Sequence, residues 1–573
     1  MNAEAQKLKL YLGKIGMLRW VFRRTKAELP MVIGLMGMKA ASSLLSVWFA
    51  LYSKQVVDAA VAGQMELFTG KAITLALIIG CTLLTSTLSQ NWNEKLSHRM
   101  QLEMRRDYFR QILCGEYSTV SAYHSGNLMS RLNYDIDSIC SGLTSILPSI
   151  VAVLVSLIGS AVAIGKMYPW ILPLLLLASF LVCTAVFFLR RIVMRMSQRI
   201  AESNSRVLSF LQEMIGKLLI VQALDVIPQV QEHADVLMQE HYNTQRSRKR
   251  MSLTMHLGFN VMSYAVTFLS LVLCAGALLK GQMSYGEMTA ITQLAAQLET
   301  PFFTLPTLAV SIFTMLASCE RLRELENIPQ QSERPALDAK RLYDGMTELR
   351  AENLSFRYDR ELVLDHIGFS IPKGGITVIT GTSGIGKSTL LKLMLGMYRP
   401  ETGMLCAAGA ETVPLDRDTR GMFCYAPQGN LLISGTLRDN LLLVKKDATA
   451  EELRQATYVS AMDDYLADLP KGLDTRIGEN GIGLSEGQAQ RLSLARAVLS
   501  DAPVMLLDEV TSALDEETER KVIKRIRTLQ GRTCIVVTHR RTVREVADWH
   551  LILETNGARL QSVRTGESSC GNI

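Results

Sequence analysis

The stretch Gly381-Thr382-Ser383-Gly384-Ile385-Gly386-Lys387-Ser388-Thr389 has the spacing G-x-x-x-x-G-K-S. An apolar, β-branched run at 376–380 precedes it, and a helix-like apolar segment at 390–395 follows it. Strand, glycine loop and helix in this order are typical of a phosphate-binding loop. In such a loop the backbone N–H groups turn inward around an anion, and the helix N-terminus adds a partial positive charge. The stretch therefore predicts a domain that binds nucleotide phosphates.

The side chains of this loop have separate expected roles. Lys387 is expected to reach the β- and γ-phosphates, and Ser388 is expected to ligate Mg²⁺. The candidate nucleotide contacts are Gly381, Thr382, Ser383, Gly384, Ile385, Gly386, Lys387, Ser388 and Thr389. The loop alone predicts a nucleotide binder, so the process that it drives has to be read from the rest of the chain.

The apolar residues are concentrated in the part of the chain before the linker described below. The whole chain of 573 residues is 48% hydrophobic, with a mean hydropathy of +0.16, which is high for a soluble protein. Its apolar stretches have the length of about 20 residues that a membrane-spanning helix needs. We predict six spans, at residues 30–51, 67–88, 146–164, 169–189, 257–279 and 285–308.

Basic residues accumulate in two of the connections between these spans. Arg99, Arg105 and Arg106 lie between spans two and three, and Arg246 and Arg248 belong to a second group between spans four and five. Because Lys and Arg accumulate on the cytoplasmic side of membrane proteins, both termini and the phosphate loop are predicted to be cytoplasmic. We expect a multi-pass protein of the cell (inner or plasma) membrane. The net charge of +7 is modest for this length and does not indicate a nucleic-acid partner.

The cytoplasmic segments of the membrane part are predicted to be helical. Residues 8–22 mix apolar and basic side chains, which favours an amphipathic helix on the membrane surface, with a frayed tail as the alternative. The long connections 91–144 and 190–256 are predicted to extend the spans by roughly 40 Å at the rise of an α-helix. Their tips, near 116–124 and 211–223, would then be placed to contact a domain below the membrane.

A change in composition divides the chain into four parts. Residues 1–326 are predicted to form the transmembrane domain, and the polar, Pro-containing residues 327–348 a linker. From 349 to 565, β-like runs alternate with helical patterns, which indicates an α/β domain with a largely parallel sheet. Residues 566–573 are expected to be a flexible tail. The ten cysteines are scattered singly and do not indicate a disulfide framework or a zinc site.

Two further motifs lie downstream of the phosphate loop. The apolar run at 504–507 ends in Asp508 and Glu509. A carboxylate at such a strand end can hold Mg²⁺, and a second one can polarise an attacking water. The stretch Leu484-Ser485-Glu486-Gly487-Gln488 is a second glycine-containing helix start that is able to face an anion.

Together these motifs resemble the ATP-binding cassette (ABC) family, in the family's order along the chain. The resemblance implies that Tyr358 stacks on adenine and that Gln428 senses Mg²⁺ and contacts the membrane domain. It places Ser485, Gly487 and Gln488 in the family signature, 512–515 in the D-loop, and His539 at the switch histidine. The implied cofactors are ATP and Mg²⁺. The implied metal ligands are Ser388, Gln428 and Asp508, and the implied catalytic residues are Glu509, His539, Gln428 and Lys387.

The membrane half extends the resemblance to exporters of this family. The stretch 124–132, with Asp135 and Asp137, is similar to the segment after the first coupling helix, and 475–481, centred on Glu479, is similar to the exporter-type loop before the signature. Six spans fused ahead of one cassette resemble a type IV exporter half-transporter. The implied fold is a six-helix, all-α transmembrane domain joined to an α/β P-loop domain.

The resemblance also implies a dimer, because one chain has one cassette. The phosphate loop of one cassette would face Ser485 and Gly487 of the other, and two ATP molecules would close the pair. None of the expected catalytic positions is degenerate, which favours a homodimer, although a different half-transporter could also be the partner. Closed two-fold symmetry is the default for such an assembly.

Two positions depart from the family pattern. Glu486 stands where the signature usually has glycine, and because a carboxylate would be repelled by a triphosphate, we expect its side chain to point away. The stretch 431–434 stands where many exporters have an aromatic residue, and this departure is expected to affect coupling to the membrane helices rather than ATP chemistry.

The substrate is the least defined feature in the sequence. Lys39 and Glu299 lie within predicted spans, where ionisable groups usually face a cavity, so both are candidate substrate contacts. The alternatives are that Lys39 reaches the membrane interface and that Glu299 has a structural partner. The expected substrate is a peptide, a lipid or a drug-like molecule. An importer of a metal-chelator complex and an ATP-gated channel or regulatory subunit are the alternative functions.

Overall fold

The computed structural model describes most of the chain. The described residues are 16–17, 19–123, 125–331, 337–359, 361–429, 432–478, 483–529, 531–554 and 557–563. The chain divides into two compact units, of which the first comprises Met1–Leu113 and Tyr123–Asn327 and the second Cys114–Ala122 and Ile328–Ile573. The short segment 114–122 therefore groups with the unit that contains the phosphate loop.

Some of the sequence predictions fall on residues outside this description. They are residues 8–15 and 18 of the expected amphipathic helix, His124 of the exporter-like stretch, 332–336 of the linker, Leu431, 479–481 of the loop before the signature, and 564–573, which include the expected tail. The structure does not test these predictions.

From Leu29 onward, ten α-helices of the described chain follow one another with only short breaks, after a helical stretch at 19–24. They are α1 (Leu29–Val61), α2 (Met65–Leu113), α3 (Tyr117–Val120), α4 (Ser125–Ser130), α5 (Ile136–Ser141), α6 (Leu147–Met167), α7 (Ile171–Gly216), α8 (Leu218–Ala223), α9 (Ile227–Leu279) and α10 (Tyr285–Glu326). Helix α10 begins with a capping box, in which the Ser284 hydroxyl and the Glu287 carboxylate each accept the other residue's backbone N–H at 3.0 Å.

Four segments of the described chain are long and apolar enough to cross a membrane. They are Leu29–Val61, Met65–Leu113, Ser125–Met167 and Ile227–Leu279, and they contain the predicted spans one, two, three and five. Predicted spans four and six lie in α7 and α10, which are helices of 46 and 42 residues. The number of six spans stays a prediction.

The sequence predicted that the long connections are helical throughout. In the structure they are helical but interrupted. The chain leaves the helix at 114–116, at 121–123 and again at 224–226, and two π-helical turns occupy Arg131–Asp135 and Gly142–Ile146. At the second of these turns a Cβ added to Gly142 would lie 2.1 Å from Met315 Sδ of α10. The glycine therefore allows the two backbones to approach each other closely.

The first π-helical turn carries two buried charges that bind α10. Asp135 accepts hydrogen bonds from Ser318 Oγ at 2.8 Å and from Arg321 Nε at 2.9 Å. Arg131 donates to the backbone oxygen of Arg321 at 2.6 Å and to Glu324 at 2.8 Å. Because buried charges need partners, these contacts hold the turn against the end of α10.

Polar contacts also join helix ends at the opposite side of the first unit. Lys54 of α1 pairs with Glu287 at 2.9 Å, and the Tyr168 hydroxyl donates to the same carboxylate at 2.7 Å. The backbone N–H of Gly286 donates to Asp58 at 3.0 Å. These bonds tie the end of α1 and the α6–α7 connection to the start of α10.

The second unit is an α/β domain. Its strands are β1 (Met346–Tyr358), β2 (Glu361–Pro372), β3 (Gly375–Thr380), β4 (Thr402–Gly409), β5 (Val413–Pro414), β6 (Phe423–Ala426), β7 (Gly435–Thr436), β8 (Arg476–Ile477), β9 (Val504–Asp508), β10 (Thr533–Val537), β11 (Trp549–Glu554) and β12 (Gly557–Ser562). Its helices are α11 (Ala339–Gly345), α12 (Lys387–Met394), α13 (Leu437–Leu442), α14 (Ala450–Val459), α15 (Asp463–Ala467), α16 (Glu486–Leu499), α17 (Glu516–Ile526) and α18 (Arg541–Val546).

The strands form a main sheet and two smaller ones. The main sheet has the order β12-β11-β3-β10-β9-β6, and all of its pairings are parallel except that of β12 with β11. Every residue of β9 and β10 is buried, as expected for continuous apolar runs that are covered on both faces. A separate antiparallel sheet, β2-β1-β4-β5, adds to the largely parallel sheet that the sequence predicted.

The predicted linker is partly structured. Helix α11 and the start of β1 at Met346 both fall inside residues 327–348. Asp338 explains the helix, because its carboxylate accepts the backbone N–H of Lys340 at 3.0 Å and that of Arg341 at 3.3 Å. The polar composition of this segment predicted a linker without secondary structure, but the segment contains an N-cap residue and a short helix.

The buried ion pair of the first π-helical turn gives a stability prediction. Asp135→Asn removes the charge opposite Arg321, and we expect a loss of about 2 kcal/mol, less than for a fully buried pair because solvent screens the arginine. Asp137→Asn is the matched control, since Asp137 is exposed and contacts Gln101. Thermal unfolding in detergent should show a lower transition temperature for Asp135→Asn alone. Equal temperatures for both variants would contradict this assignment.

Candidate nucleotide-binding site

Four adjacent strands bring the predicted site residues to one edge of the main sheet. The phosphate loop follows β3, Asp508 ends β9, His539 follows β10, and Gln428 follows β6. Since β3, β10, β9 and β6 are neighbours and parallel, their carboxyl ends lie side by side. This edge is where open α/β sheets place their ligand sites.

Glycines shape the phosphate loop between β3 and α12. Gly386 has a φ of 99°, in the left-handed region that glycine adopts without strain. A Cβ at this position would also lie 2.7 Å from Leu364 and 2.8 Å from Val363. The residues Thr382, Ser383 and Gly384 are exposed at the tip of the loop. Both space and backbone geometry therefore require a glycine immediately before Lys387.

Lys387 is a buried cation inside the loop. Its Nζ donates to the backbone oxygens of Gly381 and Thr382, at 3.0 Å each. Burial lowers the pKa of the Lys387 ammonium, while the carboxylates of Glu509 and Asp508 oppose this shift. The loop thus keeps a positive charge close to its backbone N–H groups, where phosphate oxygens would compensate it.

Ser388 and Asp508 form a pair of oxygen ligands. The Ser388 hydroxyl donates to Asp508 Oδ1 at 3.1 Å, and the Tyr425 hydroxyl donates to Oδ2 at 3.2 Å. Burial raises the pKa of the Asp508 carboxyl, and these two hydrogen bonds oppose the rise. A hydroxyl and a carboxylate are ligands of the kind that Mg²⁺ prefers, so this pair is suited to the metal.

Glu509 lies between Gln428 and His539. Gln428 Nε2 donates to Glu509 Oε2 at 2.7 Å, and His539 Nε2 lies 3.6 Å from Oε1. Glu509 has a φ of 50°, which is uncommon for a residue with a side chain and occurs preferentially at functional sites. The hydrogen bond from Gln428 thus orients the carboxylate, and His539 faces its other oxygen. In this structure Gln428 contacts Glu509 rather than Asp508, its expected fellow metal ligand.

Tyr358, the expected adenine contact, lies beside the end of the phosphate loop. It is the last residue of β1, and the hydroxyl of Thr389 donates to its hydroxyl at 3.5 Å. The Tyr358 ring meets the Phe356 ring edge-on, with 4.8 Å between the centroids. The ring remains partly exposed.

The signature residues form the start of α16 and are apart from the phosphate loop. The Ser485 hydroxyl accepts the N–H of Gln488 at 3.3 Å, and the Gln488 side chain accepts the N–H of Ser485 at 2.8 Å. Glu486 is exposed in the first turn. Among the residues described on both sides, no hydrogen bond joins this helix start to 381–389.

The loop after Glu509 depends on residues that the sequence reasoning missed. Gln490 donates to Ser512 Oγ at 2.9 Å and accepts the N–H of Ala513 at 3.0 Å. Arg540 donates to the backbone oxygen of Ser512 at 2.6 Å. A Cβ on Gly487 would lie 3.0 Å from the oxygen of Ala513. The one signal for Gln490 was a large polar amide on the largely apolar, buried face of α16.

The two candidate substrate contacts differ in their surroundings. Lys39 is half-buried in α1. Glu299 of α10 is only 6% exposed, and its Oε2 accepts a hydrogen bond from Ser263 Oγ at 2.6 Å. Glu299 Oε1 is buried and has no hydrogen-bond partner among the described residues. Within the described part of the chain, no ion pair joins Lys39 and Glu299.

Two family models match the chain, one on each side of the linker. The ABC transporter transmembrane region matches residues 32–302, and the ABC transporter model matches residues 364–512. A solved structure with the same fold is that of a bacterial Atm1-family ABC exporter with ATP bound. It superposes with a TM-score of 0.81 over 94% of this chain and 96% of that one, at 20% sequence identity.

Curated relatives cover most of the sequence. The alpha-hemolysin translocation ATP-binding protein HlyB of Escherichia coli is 28% identical over 84% of this chain and 68% of its own length. HlyB of Proteus vulgaris is 29% identical over 92% and 76%, respectively. The leukotoxin translocation ATP-binding protein LktB of Mannheimia glucosida is 27% identical over 84% and 68%.

The anchoring of the loop after Glu509 gives a prediction for ATP turnover. Gln490→Met keeps the volume of the side chain but removes both of its hydrogen bonds to residues 512 and 513. We expect roughly tenfold slower turnover with unchanged ATP binding, the effect of about one lost positioning interaction. Gln490→Glu keeps the acceptor for Ala513 and should lie between the two. Full turnover in Gln490→Met would show that the anchor is dispensable.

Proposed function

The chain belongs to the ABC transporter family, with the fused organisation of an exporter-type half-transporter and transport ATPase, and from this premise we propose that two such chains form the working transporter. The dimer binds two molecules of MgATP and moves a substrate across the membrane by alternating access. The observation that carries the proposal is the separation, within one chain, of the signature at the start of α16 from the phosphate loop.

The residues at the sheet edge have complementary tasks in ATP hydrolysis. Lys387 and the loop N–H groups bind the phosphates, and Ser388 with Asp508 holds the metal. Mg²⁺, when bound, supplies positive charge that neutralises phosphate oxygens. Glu509 orients the attacking water and accepts its proton, since it is the carboxylate that Gln428 holds in position and that His539 faces.

Each ATP site is completed by the second cassette. The N-terminus of α16 offers unpaired backbone N–H groups and a partial positive charge, which favour an anion brought to it by a partner. Ser485 and Gly487 of one chain then face Lys387 of the other. Closed two-fold symmetry builds two such sites at once. A homodimer is favoured because no catalytic position of this chain is degenerate.

Mixing two inactive variants tests the shared site. Lys387→Ala disables the phosphate loop and Ser485→Arg the signature, so each variant alone should lack a complete site. In a shared-site dimer, a mixed pair contains one intact site, and random mixing should restore about a quarter of the normal turnover, because half of the dimers are mixed and each has one of two sites. If the mixture remains inactive while both variants still bind to each other, the sites are not shared.

The proposed orientation follows from charge. The basic connections between spans two and three and between spans four and five support cytoplasmic termini and a cytoplasmic ATPase in the cell membrane. This places the phosphate loop in the compartment that holds ATP.

The substrate is proposed to be a peptide, a lipid or a drug-like molecule. The relatives named for hemolysin and leukotoxin translocation support the peptide class. Because these relatives are translocation proteins and the structural neighbour is an exporter, an importer of metal-chelator complexes is not favoured. Glu299 and Lys39 are proposed to contact the substrate, and the free oxygen of Glu299 favours a substrate group that donates hydrogen bonds or carries positive charge.

The role of Glu299 is tested by substrate stimulation. Glu299→Gln keeps the size of the side chain but removes its charge, so the ratio of stimulated to basal ATP turnover should change, most strongly for cationic substrates. The measurement uses the purified chain in lipid, with a cationic peptide and an uncharged analogue of the same length. Ser263→Ala, which removes the hydrogen bond at 2.6 Å, serves as a partial variant. Identical ratios in all variants and with both peptides would contradict the assignment.

A further inference from the structure

Three tyrosine rings form a continuous chain beside the phosphate loop. Tyr398 meets Tyr358 edge-on at 5.2 Å between centroids and Tyr117 edge-on at 5.7 Å. Phe356 contacts both Tyr358, at 4.8 Å, and Tyr398, at 5.4 Å. We call Tyr117, Tyr398 and Tyr358 the tyrosine chain. All of its members lie in the second unit.

The tyrosine chain begins in the segment 114–122, which is firmly attached. Glu116 pairs with Arg399 at 2.6 Å, and its backbone N–H donates to Pro329 at 2.9 Å. The N–H of Gln331 donates to the oxygen of Cys114 at 2.9 Å. Tyr117 of this segment therefore has a fixed position from which it can act on Tyr398.

Tyr398 itself has contacts on two sides. Tyr398 is partly buried, and both the Ser121 side chain and the ring of Tyr358 lie close to it. Partial burial is the main reason why the pKa of the Tyr398 phenol is raised. Tyr398 also follows the end of α12, the helix that begins at Lys387. It thus contacts both Tyr117 of the segment 114–122 and Tyr358, the expected adenine contact.

Edge-on packing restricts the orientation of Tyr358. An aromatic ring held by two perpendicular neighbours loses most of its freedom to tilt, because edge-on pairs of aromatic rings attract each other in this geometry. A ring that must stack on a base gains from this restriction, because less freedom remains to be lost when the base binds.

We propose that Tyr398 is a positioning residue that orients Tyr358 toward the adenine base, and that Tyr117 holds Tyr398 in place. Adenine affinity is then energetically coupled to the position of the segment 114–122. The coupling is reciprocal, so a displacement of that segment weakens adenine binding, and adenine binding favours the attached segment. The inference rests on the proposed function of Tyr358 as the adenine contact.

The test separates base recognition from phosphate binding. The full chain in lipid is assayed for the KM and kcat of ATP hydrolysis and for inhibition by inorganic tripolyphosphate, which has no base. Tyr398→Leu should raise the KM for ATP roughly threefold to tenfold, with a smaller change in kcat and an unchanged inhibition constant for tripolyphosphate. Tyr398→Phe keeps the ring and should restore the KM. Tyr117→Leu should shift the KM in the same direction, and adding it to Tyr398→Leu should have little further effect.

The control variant Tyr358→Leu separates the proposed positioning role of Tyr398 from the proposed adenine contact of Tyr358. If Tyr358→Leu raises the KM for ATP and Tyr398→Leu does not, the positioning role is wrong and the adenine contact stands. If neither variant changes the KM, the adenine contact itself is wrong. If Tyr398→Leu weakens ATP and tripolyphosphate equally, Tyr398 supports the phosphate loop as a whole, and the proposed role is also overturned.

Discussion

The parallel pairing of four buried strands is the constraint on which the catalytic unit depends. Strands β3, β10, β9 and β6 are hydrogen-bonded neighbours, and the residues of β9 and β10 are fully buried. Such strands have little freedom to shift in register, because a shift of one residue would reverse which side chains face each side of the sheet. Their ends therefore hold Lys387, Asp508 and Glu509 at fixed separations. Hydrogen bonds from Gln490, Arg540 and Tyr425 then hold the residues around this edge in the positions that the sheet has set.

The sequence predicted those parts of the site that are local in the chain. The phosphate loop and the acids after β9 are short motifs whose chemistry can be read without neighbours, and the structure places them at one sheet edge. Gln490 and Arg540 could not be assigned in this way, because their partner Ser512 is 22 and 28 residues away. The same holds for Tyr398, whose ring contacts come from the distant strand β1 and from a segment of the membrane half of the sequence. Contacts of this kind depend on tertiary packing, which a linear pattern does not contain.

In the membrane unit, too, the sequence predicted the local helices but not the contacts between distant residues. Apolar length was enough to locate the helices, since a span needs about 20 apolar residues whatever its neighbours are. The π-helical turn Arg131–Asp135 was not visible, because helix-compatible residues continue through it, whereas the break at 114–116 contains a glycine, Gly115, that the prediction of a continuous helix overlooked. The partners of the buried charges were also hidden: Asp135 bonds Arg321 of α10, a residue far away in sequence. The helical hairpins thus follow from composition, whereas their attachment to one another follows from a few buried polar contacts.

We propose that this chain, paired with a second copy, contains everything that ATP hydrolysis requires. The most direct measurement is ATP turnover of the purified chain alone in lipid, beside its Glu509→Gln variant. Glutamine keeps the hydrogen-bonding shape that Gln428 and His539 contact but cannot accept a proton. We predict clear ATP turnover in the parent protein. In the variant, turnover should be lost while ATP remains bound. Bound ATP without turnover in the parent protein would contradict self-sufficiency and show that a different chain must complete the site.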